Sequence, residues 1–188
     1  MPRPEQIEQF DALYREHYRQ VYAYAVARAG RQLADEVVAD TFLVAWRRFA
    51  VVPKATPLPW LLVVARNIVR ERYRAEVRRR EIAAEMQAWV SEDELLADDV
   101  ADEVAERAAV LTVLAAMSEE DRELLTLVAW HGLSPRQAAR VVGCSTATYF
   151  VRLHRARRRL QSALDAATTE PNLPRSVTTS TVLKESTR

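Results

Sequence analysis

The chain has 188 residues, of which 49% are hydrophobic, and a formal net charge of +1. That length and composition suit one or two small cores rather than a large assembly. No apolar run approaches the roughly 20 residues needed to span a bilayer, so membrane insertion is not expected. The single cysteine, Cys144, excludes an internal disulfide, and the lack of a signal-peptide pattern predicts a cytoplasmic protein.

Glycine occurs only at 30, 132 and 143, and the prolines cluster at 2 and 4, at 53, 57 and 59, at 135, and at 171 and 174. Both breakers therefore avoid every long periodic segment, which predicts an all-α protein. The histidines His17, His131 and His154 are scattered and pair with no cysteine, so no zinc motif is present. No carboxylate cluster with metal spacing and no phosphate-cradling glycine loop is found. No cofactor, metal site or catalytic residue is expected, and an enzyme finds no support.

In chain order, Phe10, Leu13, Tyr14, Tyr18, Val21, Tyr22 and Ala25 give the apolar face of a first helix over residues 5–29, closed by Gly30. A second helix over about 33–49 carries Val37, Val38, Thr41, Phe42, Ala45 and Trp46 on a broad apolar side. The prolines of 50–59 predict a loop. A third helix over 60–80 is apolar at its start and basic at its end. The stretch 85–99 is acidic and aperiodic, which predicts a flexible linker. A helix resumes near Val100 and runs to Met117; Ser118 caps another over 119–131. After Ala167 the Thr-, Ser- and Pro-rich chain reads as a disordered tail.

The stretch from Leu133 to Ser145 carries the sharpest signal. Ser134 can cap a helix, Pro135 sits where no amide donor is needed, and Gln137 completes a reciprocal capping box. Gly143 ends that helix in a left-handed conformation, and Ser145 is placed to cap the next. In this last helix Tyr149, Leu153, Ala156, Leu160 and Leu164 form one apolar face. Arginines at 152, 155, 157, 158 and 159 fall largely on the other, with no acid between Thr146 and Leu160. Two short helices around a glycine, the second strongly basic, read as a DNA-binding helix-turn-helix. A solvated basic face is the bland alternative. Cys144 lies in the turn as a small packing residue.

The small net charge hides a segregation. Ala65 to Arg80 holds seven arginines against two glutamates, whereas Glu92 to Glu106 holds eight acids and no base. Local patches of this kind set the field that attracts phosphate.

The order of these pieces resembles the extracytoplasmic-function (ECF) sigma factors of bacterial RNA polymerase. Four stretches carry the likeness: Phe10 to Arg28; the run Ala34-Asp35-Glu36-Val37-Val38-Ala39-Asp40-Thr41-Phe42-Leu43-Val44-Ala45-Trp46; the run Pro59-Trp60-Leu61-Leu62-Val63-Val64-Ala65-Arg66-Asn67; and Met117 to Leu160. The resemblance implies two small helical domains joined by a flexible acidic linker, the C-terminal one a helix-turn-helix. Residues 5–84 would be a region 2-like domain for polymerase and the -10 element, 85–99 the linker, 100–167 a region 4-like domain for the -35 element, and 168–188 the tail.

The resemblance further implies that Asp35, Glu36, Asp40, Thr41, Phe42 and Trp46 meet polymerase, Phe42 and Trp46 reading equally well as core. Arg66, Asn67, Arg70, Arg72 and Arg74 would meet melted promoter DNA, since guanidinium groups pair phosphates and stack on bases while Asn can bond a base edge. The loop 50–59, where the family captures an unstacked base, offers only Lys54 and Thr56 as polar groups. Arg136, Thr146, Thr148, Phe150, Arg152 and Arg155 would face the upstream element. Ala147, Phe150 and Val151 depart from the family pattern; Phe150 either touches a thymine methyl, packs inward or meets a partner protein. The implied partners are core RNA polymerase, promoter DNA and an anti-sigma factor.

A promoter-specificity subunit is thus the leading expectation. The alternative is a stand-alone helix-turn-helix regulator bound to an operator, which would have no need of the second basic helix, 66–80.

Overall fold

In a computed structural model, residues 3–86 and 105–169 are described. Among them seven α-helices and one short 3-10 turn account for the regular structure, with no strand.

Pro4 starts α1 (Pro4–Ala29), where its missing donor costs nothing. Gly30, at φ +77°, ends it and allows α2 (Arg31–Arg47) to begin at once. The 3-10 turn Phe49–Val51 follows, then α3 (Pro57–Met86). Leu13, Val21, Tyr24 and Ala25 of α1 pack with Ala34, Val37, Val38, Phe42 and Ala45 of α2 and Leu58, Leu61, Leu62 and Ala65 of α3. Each fully buried Leu or Val here contributes about 1.5–3 kcal/mol of apolar transfer. Phe10 closes one end of the bundle, edge-on to Trp46 at 4.9 Å and to Phe49 at 6.0 Å.

The third helix is longer than the sequence reading had it. Pro57 and Pro59 lie in its first turn rather than in the loop, because proline is tolerated where amides lack intrahelical partners. No breaker stands between Arg80 and Met86, and Ala83 and Ala84 are strong helix formers, so the helix continues into the residues first given to the linker. The remainder of the expected linker, the start of the helix expected from Val100, and the tail from residue 170 lie outside the described residues.

Helices α4 (Ala105–Ala116), α5 (Glu119–Ala129), α6 (Pro135–Val142) and α7 (Thr146–Thr169) build the second unit. Ser118 Oγ caps α5 by accepting the Asp121 amide at 3.2 Å, as expected. Arg122 satisfies the end of α4: its guanidinium donates to the carbonyls of Leu114 (2.8 Å), Ala115 (2.6 Å) and Met117 (3.0 Å). Helix α5 stops two residues short of His131, where Gly132 at φ +63° turns the chain and the Leu133 amide donates back to Leu127 O. Leu114, Leu124, Leu125, Leu127, Leu133, Ala138, Ala139, Val141, Tyr149, Leu153 and Ala156 form the core. The two units touch: α3 packs against α6, and the Tyr24 and His131 rings meet edge-on at 5.8 Å.

Candidate nucleic-acid interface

The helix-turn-helix assembles as its residues dictate. Ser134 Oγ accepts the Gln137 amide at 3.3 Å and Gln137 Oε1 accepts the Ser134 amide at 2.8 Å, which completes the capping box. Gly143 at φ +79°, ψ +39° ends α6 in the left-handed region. Ser145 Oγ then accepts the Thr148 amide at 3.0 Å, capping α7. Beneath α7, the Tyr149 hydroxyl donates to Leu124 O at 2.7 Å, and burial pushes its pKa up.

With Tyr149, Leu153 and Ala156 buried, the same helix exposes Thr148, Phe150, Val151, Arg152 and Arg155. Arg136 of α6 is exposed beside it, and Thr146 is half-buried. Phe150 is 54% exposed, which removes inward packing and leaves the two outward readings. Arg159 turns back instead and pairs with Asp121 at 2.7 Å, fastening α7 to the start of α5.

On α3 the five basic-helix candidates divide. Asn67, Arg70 and Arg74 are exposed along one side, and Tyr73, which sequence reasoning passed over, is 70% exposed among them. An aromatic ring between arginines was the available signal, since such rings stack on bases. Arg72 faces α2, where its guanidinium donates to Asp40 at 2.6 Å and to Glu36. Arg66 is half-buried against α5: Nε donates to Glu123 Oε1 at 2.9 Å and Nη2 to Oε2 at 3.2 Å. Neither arginine offers its fork to DNA in this arrangement.

The acidic candidates divide likewise. Asp35 and Glu36 are exposed, Asp40 and Trp46 are half-buried. Thr41 and Phe42 lie in the core: Thr41 Oγ1 donates to Val37 O at 2.6 Å and Phe42 packs on the Tyr14 ring at 4.7 Å. Beside the loop before α3 lies a cavity of about 330 Å³ lined by Gln9, Glu16, Phe49, Val52 and Lys54. Lys54 thus reaches a concave site, whereas Thr56 is exposed outside it.

The family models agree with this division into two units. The model for sigma-70 region 2 matches residues 13–79, and that for sigma-70 region 4 matches residues 107–160. The ECF RNA polymerase sigma factor SigL of Mycobacterium tuberculosis is 31% identical over 156 residues, covering 81% of this chain and 87% of SigL. The chain belongs to the ECF RNA polymerase sigma factors.

The probable RNA polymerase sigma factor RfaY of Xanthomonas campestris is 30% identical over 136 residues, but this ECF sigma factor spans only 34% of its length. Among solved structures, the sigma factor RpoE of Bartonella quintana, in complex with the anti-sigma factor NepR, superposes with a TM-score of 0.64 over 84% of this chain and 98% of that one. At 22% identity that likeness concerns the fold. The two family models and the likeness to SigL do not favour the stand-alone regulator.

Proposed function

We propose that this sigma factor is a non-catalytic, cytoplasmic specificity subunit whose two units divide promoter recognition between them. The exposed side of α7 carries the reading: Thr148, Arg152 and Arg155 stand outward on a helix whose opposite face, Tyr149, Leu153 and Ala156, is locked into the core. That geometry offers side chains to a major groove without disturbing the fold. Arg136 and Thr146 flank this face, and Phe150 supplies an apolar contact suited to a thymine methyl.

The α1–α3 unit takes the -10 element. Asn67, Arg70 and Arg74, with Tyr73 between them, form a surface for unpaired bases and their phosphates, and Arg66 and Arg72 join it once their carboxylate partners are displaced. Asp35, Glu36 and Asp40 are the polymerase-facing acids, with the half-buried Trp46 further along the same helix. Residues 5–84 and 100–167 carry the two functions, and the residues between them, of which 85 and 86 continue α3, join the two. An anti-sigma factor is the expected regulator, as NepR is for the Bartonella RpoE in its complex.

Site-specific photocrosslinking in reconstituted holoenzyme tests this assignment. A crosslinker at Thr148 is expected to mark the -35 element and one at Tyr73 the non-template strand near -10; the reverse pattern, or none, would refute the division.

A further inference from the structure

We propose that Glu123 is an internal latch that holds the two units together by occupying the arginine fork needed for promoter DNA. The proposal rests on the assignment of Arg66 to melted promoter.

The Glu123 side chain is 2% exposed, yet the hydrogen bonds its carboxylate accepts come from across the interface. Tyr24 Oη donates to Oε1 at 2.6 Å, and Arg66 closes on both oxygens at 2.9 and 3.2 Å. Arg28 Nη2 stands 3.9 Å away and anchors the rim by donating through Nη1 to Glu119 O at 3.1 Å. A carboxylate engaged side-on by a guanidinium presents the same fork geometry that a phosphate uses. Arg66 therefore binds Glu123 or a promoter phosphate, but not both. A neighbouring cavity of about 220 Å³ is lined by Arg66, Arg70, Glu120, Glu123 and Arg152, so residues assigned to both promoter elements converge on the closed interface.

The chemistry suits a device that opens. A buried ion pair contributes little net stability, because desolvation offsets its attraction, but it fixes register sharply. Separation rehydrates Glu123 and Arg66 together, whereas removing one partner strands the other. Docking on polymerase, or DNA competing for Arg66, would then release the latch.

The test uses the full chain with spin labels at Glu8→Cys and Ser162→Cys in a Cys144→Ser background, read by pulsed electron resonance. The otherwise unchanged protein should give one narrow distance. Glu123→Gln should broaden and lengthen it, and Tyr24→Phe should do so partially. Because apparent affinity scales with the fraction of competent molecules, Glu123→Gln should also tighten binding of a single-stranded -10 oligonucleotide by about tenfold. A broad distance in the unchanged protein, or no movement in either Glu123→Gln or Tyr24→Phe with helicity intact, would overturn the latch. Arg66→Ala in holoenzyme separates the two claims: lost promoter opening with unmoved distances upholds the DNA assignment and sinks the latch, while moved distances with normal opening do the converse.

Discussion

Asp40 accepts a hydrogen bond from Arg72 at 2.6 Å, so an acid assigned to polymerase and an arginine assigned to DNA are partners within one domain. The pair is partly exposed, with side-chain exposures of 47% and 31%, and contributes no more than about 1 kcal/mol to stability. Its members should separate in function. Asp40→Ala is expected to weaken core-polymerase binding by about 1–2 kcal/mol, measured by fluorescence titration, while Arg72→Ala, which breaks the same pair, should leave that affinity unchanged. Equal losses would assign the effect to the pair and not to Asp40.

Beside its apolar face, the recognition helix is held by a buried hydrogen bond from Tyr149, and Gly143 turns the chain into it. Tyr149→Phe should lower unfolding free energy by about 1 kcal/mol, because the Leu124 carbonyl loses its 2.7 Å donor. Gly143→Ala should cost about 1–2 kcal/mol, since φ +79° is strained for any residue with a Cβ although the space around it is open. Urea unfolding checks both; no change in either would mean that neither the Tyr149 hydrogen bond nor the Gly143 turn contributes to stability.

Arg152 stands outward on α7, one turn past Thr148. Arg152→Ala should weaken recognition of the upstream element by about 1–3 kcal/mol if the side chain reads a base. Competition binding of holoenzyme on promoters altered only at -35 distinguishes this from a phosphate contact, for which the loss would be equal on every sequence.

Burial lowers the pKa of His131 below its ordinary value near 6.5. The unfolded chain then takes up this proton first, so the contribution is fully present above that value and is lost as pH falls through it towards the folded-state pKa. Unfolding free energy of the unchanged protein should decline with acidification from about pH 6.5, and His131→Gln should flatten that slope. Parallel slopes would show that the ring titrates as freely folded as unfolded.

What was legible in the sequence was local. The Ser134–Gln137 capping box, the stops at Gly30 and Gly143, and the apolar spacing of Tyr149, Leu153 and Ala156 each depend on residues within a turn or two, and all formed as expected. The fates of the arginines were not legible. Arg66, Arg72 and Arg122 look alike on paper, yet one meets a carboxylate 57 residues away, one a neighbouring helix, and one the carbonyls that end α4. A guanidinium on a helix carries no mark of whether it faces water, a carboxylate or a phosphate; only the tertiary partner decides. Thr41 and Phe42, also named as polymerase contacts, lie in the core for the same reason, their burial being set by the helices packed on α2 rather than by their own helix.

The central claim, promoter selection on polymerase, is tested most directly by transcription from a promoter library with bacterial core RNA polymerase, with and without the purified chain, together with co-elution of the two. The account predicts a stable holoenzyme that initiates at a defined promoter set sharing two spaced elements. Tight binding of the chain alone to a single operator, with no polymerase association and no new start sites, would contradict it.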